Sequence, residues 1–135
     1  DRILCVLLGG VGAAGQDPVF TLDQAKSAAG GSSKTLAKID TIYRKQAATD
    51  LLSTAVWAKT TQTAAATYTN TDAAEQVKIH VVEVRADELD VDGGFDFIRL
   101  TIPDGGASAQ IGAGLYILCG LAHPNAPENV LSPIA

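Results

Sequence analysis

The apolar positions of this chain fall in short runs of β-branched and aliphatic residues, cut apart by Gly, Pro, Asn and Asp. Three such runs follow one another in the second half, at residues 77–84, 95–102 and 114–121. Asp- and Gly-rich joints at 87–94 and 103–106 separate them. Strand-length runs bounded by turn formers predict an antiparallel β meander. The last run is apolar in both phases, which predicts a strand covered on both faces and central to its sheet.

The first half carries the same pattern more weakly. Residues 3–8 form a continuous apolar run that reads as a first strand. It is too short, and its flank too mixed in charge, for the core of a signal peptide. Residues 19–24 alternate, with Phe20 and Leu22 on one side and Thr21 and Asp23 on the other. A loop at 27–34 follows. Residues 36–45 alternate again, which places Ala37, Ile39, Thr41 and Tyr43 on one face and Lys38, Asp40, Ile42 and Arg44 on the other. The stretch 46–54 suits either a helical turn or a loop. Short Thr-rich strands are expected at 55–60 and 64–69, then a polar turn at 70–75. In the run 77–84, Val77, Ile79 and Val81 mark one face, with Lys78 and His80 opposite. The phase slips at Val81 and Val82, as at a bulge or in a strand covered on both sides. One helical turn is expected over 85–89.

These elements predict an all-β fold: an antiparallel β-sandwich or jelly-roll-like barrel with at most short helical turns. Residues 1–122 make a single domain. Residues 123–135 carry three prolines and form an extended arm whose apolar positions, Val130, Leu131 and Ile134, together with Pro133, are the candidate contacts with a neighbour.

Composition narrows the function. A chain of 135 residues buries roughly 68% of its unfolded surface without staples. Aromatic residues make up only 5%, so the core must come from Val, Ile, Leu and Ala. The net charge is −5, and ten Lys and Arg are scattered among fifteen acidic residues. That balance opposes a nucleic acid partner. No run approaches the ~20 apolar residues of a membrane span, so no membrane partner is expected. The chain opens at Asp1 and has no Met, so a start residue is expected upstream.

Candidate chemistry is sparse. Gly10, Gly12 and Gly15 fit G-x-G-x-x-G directly after a strand, with Asp40 at the place of a ribose-binding acid. Yet Gln16, Asp17 and Pro18 intervene before any helix could begin, and that fold needs a helix N-terminus at the phosphates. A flexible loop between strands is the simpler reading, and no cofactor is expected. Asp87, Glu88, Asp90, Asp92 and Asp96 cluster beside two glycines, but the full spacing of a calcium loop is absent. A turn with solvated carboxylates accounts for them. Paired carboxylates also suit glycoside hydrolysis, but seven aromatic residues cannot line a sugar cleft. Cys5 and Cys119 lie in apolar runs and read as buried free thiols, able to pair only if their strands are neighbours. His80 and His123 are far apart and no C-x-x-C occurs, which excludes a zinc site. His80 reads as a solvent-facing or hydrogen-bonded strand residue. No enzymatic activity, catalytic residue or metal is expected.

Several segments resemble small virion proteins of tailed bacteriophages, of the kind encoded beside the major capsid protein. They are SKTLAKIDTIYRK, VWAKTTQTAAATYT, ELDVDGGFDFIRL and QIGAGLYIL. The resemblance spans about residues 19 to 123 and weakens from Cys119 to Pro124. It implies a cement or decoration protein on the outer surface of the head, with the major capsid protein as partner and self-association as a dimer or trimer on capsid symmetry axes. A tail or head–tail connector component is the alternative it leaves open.

Overall fold

The computed structural model describes residues 1–48, 50–51, 55–71, 76–103 and 110–120. The expected arm at 123–135, with Val130, Leu131, Pro133 and Ile134, and also His123, lies outside the described residues. So do residue 49 and residues 52–54 of the stretch 46–54, most of the polar turn at 70–75, and the joint after Pro103.

Among the described residues the fold has nine strands: β1 (Arg2–Gly9), β2 (Val19–Ala25), β3 (Lys34–Thr35), β4 (Ile39–Ala47), β5 (Ala58–Ala65), β6 (Thr67–Thr69), β7 (Val77–Arg85), β8 (Phe97–Thr101) and β9 (Gly112–Cys119). The only helix among the described residues is a 3-10 turn, Ala86–Glu88. One sheet runs β5-β4-β7-β1-β9, and the other is built on β2, which pairs β8 on one side and β3 and β6 on the other. Every pairing is antiparallel. The two sheets face each other across one core of Cys5, Leu7, Phe20, Leu22, Leu36, Ile39, Ile42, Tyr68, Val82 and Val84. The all-β sandwich expected from the sequence is therefore the observed fold.

The runs of the second half are strands but not a meander. β7 and β9 both flank β1 in the larger sheet, and β8 crosses to pair β2 in the other. β9 is an edge strand rather than a central one: among the described residues it pairs only with β1. Leu115, Tyr116, Ile117 and Leu118 are exposed, Leu118 to 65%. Apolarity in both phases marks burial on both faces only if both faces are covered, and among the described residues no layer covers the outer face of β9.

Two phase assignments are corrected by register. In β7 the buried residues are Lys78, His80, Val82 and Val84, whereas Val77, Ile79 and Val81 are half-buried on the outer side. The pairing of β7 with β1 runs unbroken from Arg85 to Lys78, so there is no bulge at Val81 and Val82. Val82 and Val84 enter the core, and the two-residue period of a strand carries Lys78 and His80 to the same face. The register shift lies instead between β4 and β5, where Asp40 alone, between Ile39 and Thr41, faces the three residues between Thr61 and Ala65. It lets Ile39 and Ile42, three positions apart, both reach the core with 0% exposure, while Tyr43 turns outward. The Gln62 side chain fills the irregularity by donating to the carbonyl oxygens of Ile39 (2.8 Å) and Thr67 (3.0 Å).

Candidate functional site

The glycine segment after β1 leads into β2 of the opposite sheet with no intervening helix. The dinucleotide outline at Gly10, Gly12 and Gly15 thus lacks its helix dipole. The acidic cluster is dispersed into structural roles. Asp87 pairs with Arg85, and Glu88 accepts the Arg85 backbone N–H at 2.9 Å. Asp90 pairs with Lys34 and accepts the Gly93 N–H at 3.0 Å, closing the turn in which Gly94 takes φ +79°. Phe95 leaves the strand to lie beneath the ammonium groups of Lys26 (4.8 Å) and Lys34 (4.1 Å). No group of three metal-ligating side chains occurs among the described residues.

Cys5 and Cys119 lie on neighbouring strands but out of register: Cys5 opposes Tyr116, and Cys119 opposes Arg2. Both are free thiols. Burial pushes the Cys5 thiol up to about 11, and Cys119 is half-exposed.

Polar groups do converge, but inside the sandwich. Asn70 is 1% exposed; its Oδ1 accepts from Arg44 at 2.7 Å, while its Nδ2 donates to Gln46 Oε1 at 2.8 Å and to His80 Nε2 at 2.7 Å. Arg44 can only donate, which fixes the orientation of the Asn70 amide. His80 Nε2 is therefore an acceptor, and the ring proton sits on Nδ1, which is buried with no hydrogen-bond partner. Phe20 packs against the ring at a tilt of 52°, with centroids 4.9 Å apart. Burial first, then the positive charges of Lys78 and Arg44, push His80 down to about 4. A neutral, wedged imidazole of this kind organises the core; it has no access to a substrate.

Lys78 continues the same buried face. Its methylenes lie against Gly9, where a Cβ would come within 2.9 Å of Lys78 Cε and force the buried lysine side chain to shift. Burial lowers the Lys78 pKa, and the nearby Asp17 partly offsets this. A cavity of about 540 Å³ opens at this end beside Leu7, Asp17, Pro18, Lys78 and Gln110. Its described lining residues bring one ammonium, Lys78, and one carboxylate, Asp17, to this cavity.

The larger sheet has the unusual side. Register aligns Tyr43, Val81, Val6 and Leu115 in one row across four strands. The next row is Lys45, Ile79, Leu8 and Ala113, and on the other side lie Glu83, Leu4 and Ile117. These residues alternate with the core positions, so their side chains stand on the outer face. The strand spacing and rise make this apolar field about 14 Å by 14 Å. Lys45 bounds it at one end, and the Arg2–Glu83 ion pair (3.1 Å) at the other. Neither Val77, Ile79 and Val81 nor 114–121 was legible as an outer surface, because a strand apolar in both phases gives no sign of which face stays open. The sequence signal that was present is the coincidence of three such strands.

Comparison of the chain with protein-family models, with curated proteins and with solved structures found no match.

Proposed function

We propose that this chain is a non-enzymatic structural protein of a tailed-phage virion, a cement or decoration protein bound outside the head and bridging subunits of the major capsid protein. The observation that carries the reading is the outer face of the larger sheet. The polar network of Arg44, Gln46, Asn70 and His80 lies inside the sandwich, while Val6, Leu8, Ile79, Val81, Leu115 and Ile117 are turned outward inside a polar rim. A contiguous apolar patch with such a rim suits a docking surface. The arm carrying Val130, Leu131, Pro133 and Ile134 is assigned a second grip on a neighbouring subunit.

The test is decoration of purified phage heads. Wild-type protein should co-sediment with heads at hundreds of copies, and Val81→Asp, on the outer face, should abolish this without unfolding the protein. A handful of copies per particle would instead support the connector reading. No co-sedimentation with any head would overturn both.

A further inference from the structure

We infer that β9 is a self-association edge: two copies pair antiparallel through it, about a two-fold axis at Tyr116, and join their larger sheets into one. The inference rests on this strand alone and stands whether or not the protein decorates a capsid.

The sheet has two edges of opposite character. At β5 the sequence AKTTQTAA presents Lys59 and a row of Thr and Gln, the polar and charged residues that keep an edge from pairing. At β9 the sequence GAGLYILC has no charge and no proline, and its register with β1 is unbroken. An edge with none of the usual protections is a template for another strand.

The direction of its backbone groups follows from the ladder. Gly10 N–H donates to the Ile111 carbonyl oxygen at 2.8 Å, in line with the β1–β9 register. Antiparallel pairs alternate between hydrogen-bonded and non-bonded. Ala113, Leu115, Ile117 and Cys119 therefore turn their amides toward β1, and Gly112, Gly114, Tyr116 and Leu118 turn theirs outward.

A second β9 matches this edge in itself. With the axis at Tyr116, the outward amides of Gly114 face those of Leu118 in the other copy, and Tyr116 faces its own counterpart. Gly114 has no atom within 4 Å of a would-be Cβ, and Leu118 is 65% exposed, so the bulky side chain stands over the vacant position. Leu115 meets Ile117 on the outer side, and no charge is brought against a like charge. A two-fold axis normal to the sheet keeps both outer faces on the same side. The apolar rows ending at Leu115 then continue into those of the second copy, which doubles the field without exposing a new edge.

The test uses the purified full-length chain. Sedimentation equilibrium should give a dimer at micromolar concentration, and Leu118→Lys should raise the dissociation constant at least about tenfold with the β spectrum unchanged. The register has its own probe. Ala113 lies opposite Cys119 of the other copy as a non-bonded pair, with Cα atoms about 4.5 Å apart, within disulfide reach. Ala113→Cys under mild oxidation should give a covalent dimer through Cys119, lost on adding Cys119→Ser. A wild-type protein that stays monomeric overturns the inference. If removing residues 121–135 then turns that monomer into a dimer, the chain's own tail is the occupant of the edge. A dimer indifferent to Leu118→Lys that forms no cross-link also overturns it.

Discussion

His80 makes acid stability a quantitative test of the buried network. In the unfolded chain its imidazole titrates near 6.5, and in the folded protein it is held down to about 4. A base whose folded pKa is lowered binds fewer protons folded than unfolded as the pH falls between those values. Stability is then complete above about pH 6.5 and lost progressively toward pH 4. At pH 4.5 the two values give a loss of about 2–3 kcal/mol, taking 1.36 kcal/mol per pKa unit. The structural cause is local. Protonation would place a hydrogen on Nε2, facing the Asn70 amide that now donates to it, in a pocket 2% exposed and flanked by Lys78 and Arg44. His80→Gln keeps an acceptor near Asn70 and removes the titration. Urea unfolding followed by circular dichroism from pH 7.5 to 4.5 should show wild type losing about 2–3 kcal/mol more than His80→Gln. Parallel curves would refute the reasoning, because the imidazole would then be titrating freely or would not be buried as described.

Other outcomes follow from the same packing. Leu22→Ala, at a position with 0% exposure, should cost about 2–5 kcal/mol in chemical denaturation, while Leu118→Ala on the exposed edge should cost less than about 1 kcal/mol; equal losses would return β9 to the interior. A thiol reagent should label Cys119 alone in the native protein and both cysteines in denaturant, since the Cys5 thiol is buried and held up to about 11; two fast native thiols would contradict the β1 register. Gly9→Ala should destabilise by on the order of 1–3 kcal/mol, because the methyl meets Lys78 Cε at 2.9 Å, and thermal melting would detect it. Deletion of residues 129–135 should leave melting unchanged and weaken decoration of heads; equal decoration would remove the arm from the proposed function.

Much of the fold was legible. Turn formers at 90–94 and the loop 27–34 stop the chain where the structure does, and Phe20 and Leu22 face the core as their alternation predicts. His80 was legible only as far as being hydrogen-bonded, since no local feature says that a polar residue flanked by Lys78 and valines turns inward. Its partner Asn70 lies ten residues earlier and reads as an ordinary turn residue. The outer field was hidden for a related reason: Leu4, Val6, Ile79, Val81, Leu115 and Ile117 look like core in any window of the sequence.

By itself the sequence determined that this chain forms short antiparallel strands, because β-branched runs and Gly- and Asp-rich joints act within a few residues of one another. It could not determine which strands are neighbours or which face is covered. Those depend on pairing between segments far apart, where β1 draws β7 and β9 to its two sides and the opposing sheet has only one face to cover. A strand's two-residue period fixes which side chains travel together, but only the layer packed against it decides whether that side meets protein or water.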